Sequence, residues 1–167
     1  AFNWRASFLF AAGLSLVCVL IVWWALPKSK HFQPEQPKLT KMVKDLFNHL
    51  KNPLLISVYL LGGLKFFIFI NQFSYVSYLL AGERWILSSS FLFLTYLTGT
   101  WAASIAGKVA LVLAQPLCMA LGILFLMLGS LVMLIPSVWA IIGGLLINSF
   151  GFFFCHSNIT SWVSRQA

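Results

Sequence analysis

A lysine within an apolar stretch is the first residue of this chain that could carry chemistry. Lys65 lies deep in the otherwise uncharged segment that runs from Leu54 to about Leu80. A charge at the centre of a membrane span costs roughly 2.5–3.5 kcal/mol on insertion scales. Such a cation either faces a cavity, where it binds an anionic group or responds to protonation, or pairs with a carbonyl or carboxylate for structural reasons. The sequence leaves both interpretations open.

Three polar side chains follow Lys65 in the same segment. Gln72 and Tyr75 lie seven and ten residues beyond Lys65, close to whole helical turns, so the three share a face and Asn71 falls beside it. Amides that hydrogen-bond and a tyrosine that stacks are suited to a substrate-binding surface, and we predict one from Lys65, Asn71, Gln72 and Tyr75. A wet helix end at the membrane interface is the alternative.

Two further residues stand out near the end of the chain. Asn148 is a lone amide in an apolar segment, and amides in lipid commonly join helices at about 1 kcal/mol each, so we assign it to helix packing. His156 follows at the cytosolic end of the same segment. An ordinary histidine pKa near 6.5 makes His156 a candidate proton relay. An interfacial histidine without a role is the alternative.

Catalysis has little support in the sequence. The apolar segments contain no carboxylate pair, and the cysteines lack the spacing of metal ligands. The three acids, Glu35, Asp45 and Glu83, lie in the polar connections. We therefore predict no enzyme, no cofactor and no metal site.

The elements that must position these residues are membrane helices. Of the 167 residues, 60% are hydrophobic and 8% charged, against about 25% charged residues in soluble domains, and the mean hydropathy is +0.92. The apolar residues form blocks of roughly the 20 residues that a bilayer requires. The sequence predicts an all-α, polytopic bundle of about five transmembrane helices. The blocks are Ser7–Leu26, Leu54 to about Leu80, Trp85 to about Ala106, the stretch after Gly107-Lys108 to Ile135, and Val138 to about Cys155.

A basic linker from Pro27 to Asn52 separates the first two blocks. It holds six lysines: Lys28, Lys30, Lys38, Lys41, Lys44 and Lys51. Its second half, residues 38–51, has apolar residues at helical spacing with the lysines mainly on the other side, which predicts an amphipathic helix on the membrane surface. A linker between two solvated domains is the alternative.

The distribution of cations predicts an orientation. If the linker is cytosolic, eight cations lie inside, the six linker lysines with Lys108 and Arg165, and two lie outside, Arg5 and Arg84. This asymmetry agrees with the positive-inside rule. The net charge of +8 is thus explained without nucleic acid.

Small residues predict where helices approach closely. Gly99, Ala103 and Gly107 recur every four residues, and Gly143 and Gly144 precede Asn148. Small residues at such spacing let helices pack closely in lipid. We predict helix packing at these positions.

Several short sequence segments, taken in their order along the chain, resemble the middle of a major facilitator superfamily transporter. Asn3-Trp4-Arg5 and Leu26-Pro27-Lys28-Ser29 resemble the entry and exit of the sixth helix in efflux members. The remaining phrases resemble the end of the eighth helix with its following turn, and the tenth helix: Tyr96-Leu97-Thr98-Gly99-Thr100, Ala106-Gly107-Lys108, Phe150-Gly151-Phe152-Phe153, Cys155-His156-Ser157 and Ser161-Trp162-Val163.

The resemblance implies that the five blocks match helices six to ten of twelve. Residues 1–26 would be the last helix of the N-terminal half, 27–52 the cytosolic linker between the halves, and 53–167 the first four helices of the C-terminal half. Gly99, Gly107 and Lys108 would belong to a conformational turn after the eighth helix. The charged pattern usual in that turn is absent here, since the apolar stretch before Pro116 occupies its place.

On this resemblance we expect a secondary transporter that exports small organic compounds by alternating access, with proton coupling through an acid in other helices. Its partners would be the lipid bilayer, a small-molecule substrate and the missing helices of the same full-length protein, both ends of the chain being cuts. We expect the protein to be located in a bacterial inner membrane. A non-transporting membrane scaffold or a channel is the alternative, although clustered polar residues favour a local site over a pore.

Overall fold

The computed structural model describes residues 4–27, 38–81 and 92–166, and the account below concerns these residues. Within them the chain forms helices and short connections and no β-strand. The helices are α1 Trp4–Ala25, α2 Leu39–Lys51, α3 Pro53–Ala81, α4 Tyr96–Val112, α5 Gln115–Val132 and α6 Val138–Gln166, with a 3-10 turn at Phe93–Thr95 before α4. The predicted all-helical bundle is confirmed.

Four of these helices are long and apolar enough to cross a bilayer: α1, α3, α5 and α6. The described part of α4 has 17 residues, and the first residues of the predicted third block, from Trp85 to Phe91, lie outside the described residues. The turn with Glu83 and Arg84, much of the linker including Glu35, and Asn3 also lie outside them.

The chain divides into two units, residues 1–38 and 39–167. In the first unit, α1 has 22 residues and is about 33 Å long at the usual rise. The apolar side chains of α1 are exposed, as expected for a helix solvated by lipid tails.

The second unit begins with the amphipathic helix that the linker predicts. No residue of α2 is buried, and its apolar side chains are all exposed. The boundary with α3 follows from two residues, because Asn52 Oδ1 accepts a hydrogen bond from Leu54 N at 3.0 Å and Pro53 is the first residue of α3. An asparagine before the helix and a proline at its first position are a favoured helix start.

Helix α6 is the centre of the second unit and packs against α3, α4 and α5. The closest packing is between α5 and α6, which the short connection at residues 133–137 makes antiparallel neighbours. A Cβ added to Gly144 would lie 2.7 Å from Gly129 O, and one added to Gly151 would lie 2.5 Å from Gly122 O. Here the two backbones touch directly, which glycine alone permits.

Some of the predicted packing residues lie in helix contacts of the described chain, and others are exposed. Gly144 lies in the α5–α6 contact, whereas a Cβ on Gly143 would meet nothing within 4 Å. On α4 the buried small residues are Gly99, Ala102 and Ala106, while Ala103 and Gly107 are exposed. Within the described residues the buried positions follow steps of three and four, which stay on one face of the helix, whereas each step of four rotates by about 40°. Packing at Ala103 and Gly107 stays a prediction.

The turn predicted after Gly107 and Lys108 is also placed wrongly. Both residues lie within α4, which continues to Val112, and the break falls at Leu113 and Ala114. A glycine inside a helix costs only about 1 kcal/mol relative to alanine. Pro116 is tolerated only in the first turn of a helix, so the chain must break shortly before it.

Helix α6 does not end near Cys155 but continues to Gln166. The polar residues after Cys155 hydrogen-bond within the helix: Asn158 Nδ2 donates to Phe154 O at 2.9 Å, and Thr160 Oγ1 donates to His156 O at 2.8 Å. His156 is therefore an internal residue of α6 and is followed by ten more helical residues, while its position at the cytosolic end of the membrane span stays a prediction.

Candidate functional site

Lys65 of α3 is buried among α6 side chains, with 4% of its surface exposed. Its Nζ lies 3.2 Å from Nδ1 of His156 and 4.1 Å from the centre of the Phe152 ring. A ring face attracts a cation, and the imidazole nitrogen accepts a hydrogen bond from it. Both partners are uncharged, so they lower the free-energy cost of burying the ammonium but do not neutralise its charge.

An aromatic layer follows Lys65 along the same face of α3. Phe69 lies one turn after Lys65, and its ring stacks on Phe152 at a centroid distance of 4.2 Å. Phe152 is in turn nearly parallel to the His156 ring, with 5.8 Å between centroids. Since Phe69 precedes Gln72 by one turn, this layer separates Lys65 from the polar residues beyond it.

Gln72 is the centre of a hydrogen-bond network that joins three helices. Its Nε2 donates to Ser130 Oγ of α5 at 2.8 Å, and its Oε1 accepts from Asn148 Nδ2 of α6 at 2.7 Å. The same Asn148 nitrogen lies 3.1 Å from Leu126 O and 3.3 Å from Ser130 Oγ. Amides that pair in this way satisfy polar groups that lipid tails could not.

Two buried atoms next to this network have no hydrogen-bond partner among the described residues. They are Asn148 Oδ1 and the adjacent Ser149 Oγ, and both side chains are fully buried. An unsatisfied buried acceptor is costly. Asn148 Oδ1 and Ser149 Oγ can therefore still accept a hydrogen bond.

A cavity of about 440 Å³ opens beside the network. Its wall is mostly apolar, with polar groups at one part, and it is lined by Asn71, Gln72, Tyr75, Val76, Leu79, Ser130, Met133, Leu134 and Ile141. Asn71 Nδ2 donates to Phe67 O of its own helix, and Tyr75 is 69% exposed. Pockets for small molecules typically measure 300–1,000 Å³ and combine apolar walls with a few polar groups.

Within the described residues, no group of three or more histidine, cysteine, aspartate or glutamate side chains could hold a metal ion.

Comparison with known proteins identifies the family. The model of the Major Facilitator Superfamily matches residues 1–167. The chain belongs to the major facilitator superfamily.

Curated relatives of this superfamily member are named as transporters. An uncharacterized transporter of Buchnera aphidicola (subspecies Schizaphis graminum) is 34% identical over 99% of this chain and 41% of its own length. The uncharacterized MFS-type transporter YybF of Bacillus subtilis is 30% identical over 99% of this chain and 42% of its own length. The inner membrane transport protein YnfM of Escherichia coli is 31% identical over 64% of this chain and 26% of its own length. No solved structure matches the chain.

The superfamily member is thus a multi-pass integral membrane protein of a transporter family, not of an enzyme family. It spans about two fifths of the length of the first two relatives.

The structure divides the predicted substrate-binding residues of this superfamily member into two places. Asn71, Gln72 and Tyr75 line the cavity, whereas Lys65 does not and instead meets His156. Asn148, which the sequence assigns to packing, contacts Gln72 of the predicted site.

Sequence reasoning missed Ser130 and the pairing of Lys65 with His156. Ser130 had a signal, because it is a polar residue in an apolar helix that a short connection makes the antiparallel neighbour of α6. Lys65 and His156 are 91 residues apart, and no local pattern joins them.

Proposed function

We propose that the full-length protein is a secondary transporter that exports small organic compounds across a bacterial inner membrane. The observation that carries this proposal is the cavity of about 440 Å³ with the Gln72–Ser130–Asn148 network at its polar part. The names of the relatives, among them an inner membrane transport protein, support a transporter and its location.

The composition of the cavity suits organic cargo. Leu79, Met133 and Ile141 offer apolar contact, while Gln72 and Ser130 offer hydrogen bonds that orient a ligand. The amide groups of the network are held by three helices, so any movement between α3 and the α5–α6 pair alters the polar surface that the cargo meets. Such a dependence on helix position is what alternating access requires.

The division of the chain follows from this proposal. Residues 1–26 are the last helix of the N-terminal half, 27–52 are the cytosolic linker between the halves, and 53–167 are the first helices of the C-terminal half. In this arrangement the cavity, which is lined by residues near the ends of α3 and α5, lies toward the outer side of the membrane.

Proton coupling is a further part of the proposal. The spans of this chain contain no carboxylate, so the acid that exchanges protons lies in the remaining helices. His156 is the candidate relay on this side, since its imidazole lies 3.2 Å from the Lys65 amine, within reach of a proton transfer between the two.

The test uses the full-length protein in proteoliposomes. A panel of neutral, cationic and anionic organic compounds is trapped inside, and the loss of each is measured by mass spectrometry with and without an imposed proton gradient. We expect saturable loss of at least one compound, accelerated by the gradient, and at least tenfold slower loss with Gln72→Leu. Thr160→Val is the matched control, since its hydroxyl bonds only to its own helix.

The outcomes separate the alternatives. Loss equal to that from empty liposomes would contradict transport and favour a scaffold. Loss that never saturates would indicate a channel. Saturable loss that Gln72→Leu leaves unchanged would show that the cargo binds elsewhere.

A further inference from the structure

We propose that Lys65 and His156 form a subsite for a carboxylate group of the transported compound. This inference rests on the proposed function and specifies its substrate class as organic anions. It begins from the contacts of Lys65, which differ from those of a lysine held for structural reasons.

The contacts of Lys65 leave its charge uncompensated. Its Nζ contacts the His156 imidazole and the Phe152 ring, and neither group carries a negative charge. In the part of the chain that the structure describes, no carboxylate lies in ion-pair contact with Lys65: Asp45 is on the exposed helix α2, and Glu35 and Glu83 are outside that part. Charged side chains within a membrane pair with one another or with backbone carbonyls, or face a water-filled cavity, so an uncompensated ammonium is suited to a negatively charged partner.

The donor and acceptor roles of the two side chains determine which groups the pair presents to a ligand. An ammonium only donates, so His156 Nδ1 must accept, and the ring proton is then on Nε2. Two cations 3.2 Å apart would repel, so the pair carries a single positive charge. Cys155, the titratable neighbour of Lys65, is a buried thiol. The pair therefore presents one charge, the remaining ammonium protons, and the Nε2 proton of an imidazole whose side chain is exposed.

A carboxylate complements this arrangement in charge and in hydrogen bonding. It supplies one negative charge and two acceptor oxygens, and charge-assisted hydrogen bonds are the strong ones. An uncharged amide of the same shape would leave the lysine charge uncompensated. The subsite is thus expected to distinguish an acid from its amide.

The pair is separate from the cavity. Lys65 and Gln72 are about 10 Å apart along α3, and the Phe69–Phe152 layer lies between them. A carboxylate therefore reaches the pair from the side on which the His156 side chain is exposed. The same chemistry could come from an aspartate or glutamate in the rest of the full-length protein, and the experiment distinguishes the two sources.

The experiment compares acids with their amides on the purified full-length protein in detergent. The probes are benzoate and hexanoate against benzamide and hexanamide, and the readouts are the thermal unfolding temperature and the dissociation constant. For the wild-type protein we expect at least one acid to raise the unfolding temperature and to bind at least tenfold more tightly than its amide. This comparison needs no variant and so does not depend on a variant that folds.

Variants then place the binding at the pair. Lys65→Gln is expected to weaken acid binding at least tenfold and to leave amide binding unchanged, and Lys65→Arg to retain most of it. His156→Phe keeps a ring against Phe152 but removes both nitrogens, and we expect several-fold weaker acid binding. Arg165→Gln, an exposed cation of the same helix, is the control and should change nothing.

The proposal is overturned if neither acid binds more tightly than its amide, or if Lys65→Gln leaves the preference intact. It is also overturned if a Lys65→Gln defect is rescued by neutralising a carboxylate in the remaining helices, because that result would identify a structural ion pair. Flux in proteoliposomes together with any of these results would reject the carboxylate subsite alone, whereas absence of flux would reject the transporter.

Discussion

The amide of Asn148 shows what a single residue contributes to this helix bundle. It is fully buried and donates to Gln72 Oε1 across the α3–α6 contact and to Leu126 O across the α5–α6 contact. In an apolar surrounding no water replaces these bonds. One side chain therefore couples the cavity wall to the packing of two helix pairs.

Removing this amide has a measurable expected cost. Asn148→Ala leaves Gln72 Oε1 and Leu126 O without this donor, so we expect the free energy of unfolding in detergent to fall by about 1–2 kcal/mol. Combined with Gln72→Ala, the effects should be non-additive by about 0.6 kcal/mol. Equilibrium unfolding followed by circular dichroism measures both. Full additivity would mean that the 2.7 Å contact contributes nothing.

At the scale of elements, the α5–α6 pair depends on glycine at defined positions. Gly143 and Gly144 are neighbours in sequence, yet only Gly144 lies against the backbone of α5. We expect Gly144→Ala to lower the free energy of unfolding by about 1–3 kcal/mol, because the helices must move apart. Gly143→Ala, the matched control, should leave it unchanged or raise it by up to about 1 kcal/mol, because alanine is the better helix former and its Cβ meets nothing. Equal effects from both substitutions would contradict the packing described here.

Helix α2 has an apolar face that the rest of the second unit leaves exposed. Leu46 is 60% exposed on that face, and Lys44 is exposed on the other side. An amphipathic helix with lysines opposite its apolar face binds the surface of an anionic bilayer.

This location can be tested with an environment-sensitive fluorophore on a cysteine. In vesicles containing anionic lipid, and with exposed cysteines such as Cys18 replaced by serine, the label on Leu46→Cys should emit at shorter wavelength than the label on Lys44→Cys. The apolar face lies among acyl chains in this arrangement, whereas the lysine side stays in water. Identical, water-like spectra would show that α2 projects away from the membrane.

At the scale of the whole molecule, the orientation of the spans follows from charge. The linker lysines lie on the cytosolic side in the predicted topology, and the connection at Pro136 faces outward. Alkaline phosphatase fused at Pro136 should be active in bacteria, and green fluorescent protein fused after Arg165 should fluoresce. The reverse pattern would show that the eight-to-two cation asymmetry does not orient this chain.

The sequence by itself determined the class of the protein and most of its helices. Long apolar blocks with few charges have one stable environment, and backbone hydrogen bonds within lipid require helices. Helix α2 was predictable because its periodicity is local, and the start of α3 because Asn52 and Pro53 act on adjacent backbone. The end of α4 was misplaced because Pro116, rather than Gly107, breaks the chain.

The tertiary structure alone decided which side chains meet. Whether Lys65 pairs with Gln72 or with His156 depends on how far α3 is rotated and shifted against α6, and that register comes from side chains packing across helices. The same holds for Gln72, Ser130 and Asn148, which lie on three helices brought together by glycine contacts of α5 with α6. Helical periodicity specifies the face on which a residue lies but contains no information on the residue opposite, so the two polar places of this molecule became distinct only in the folded chain.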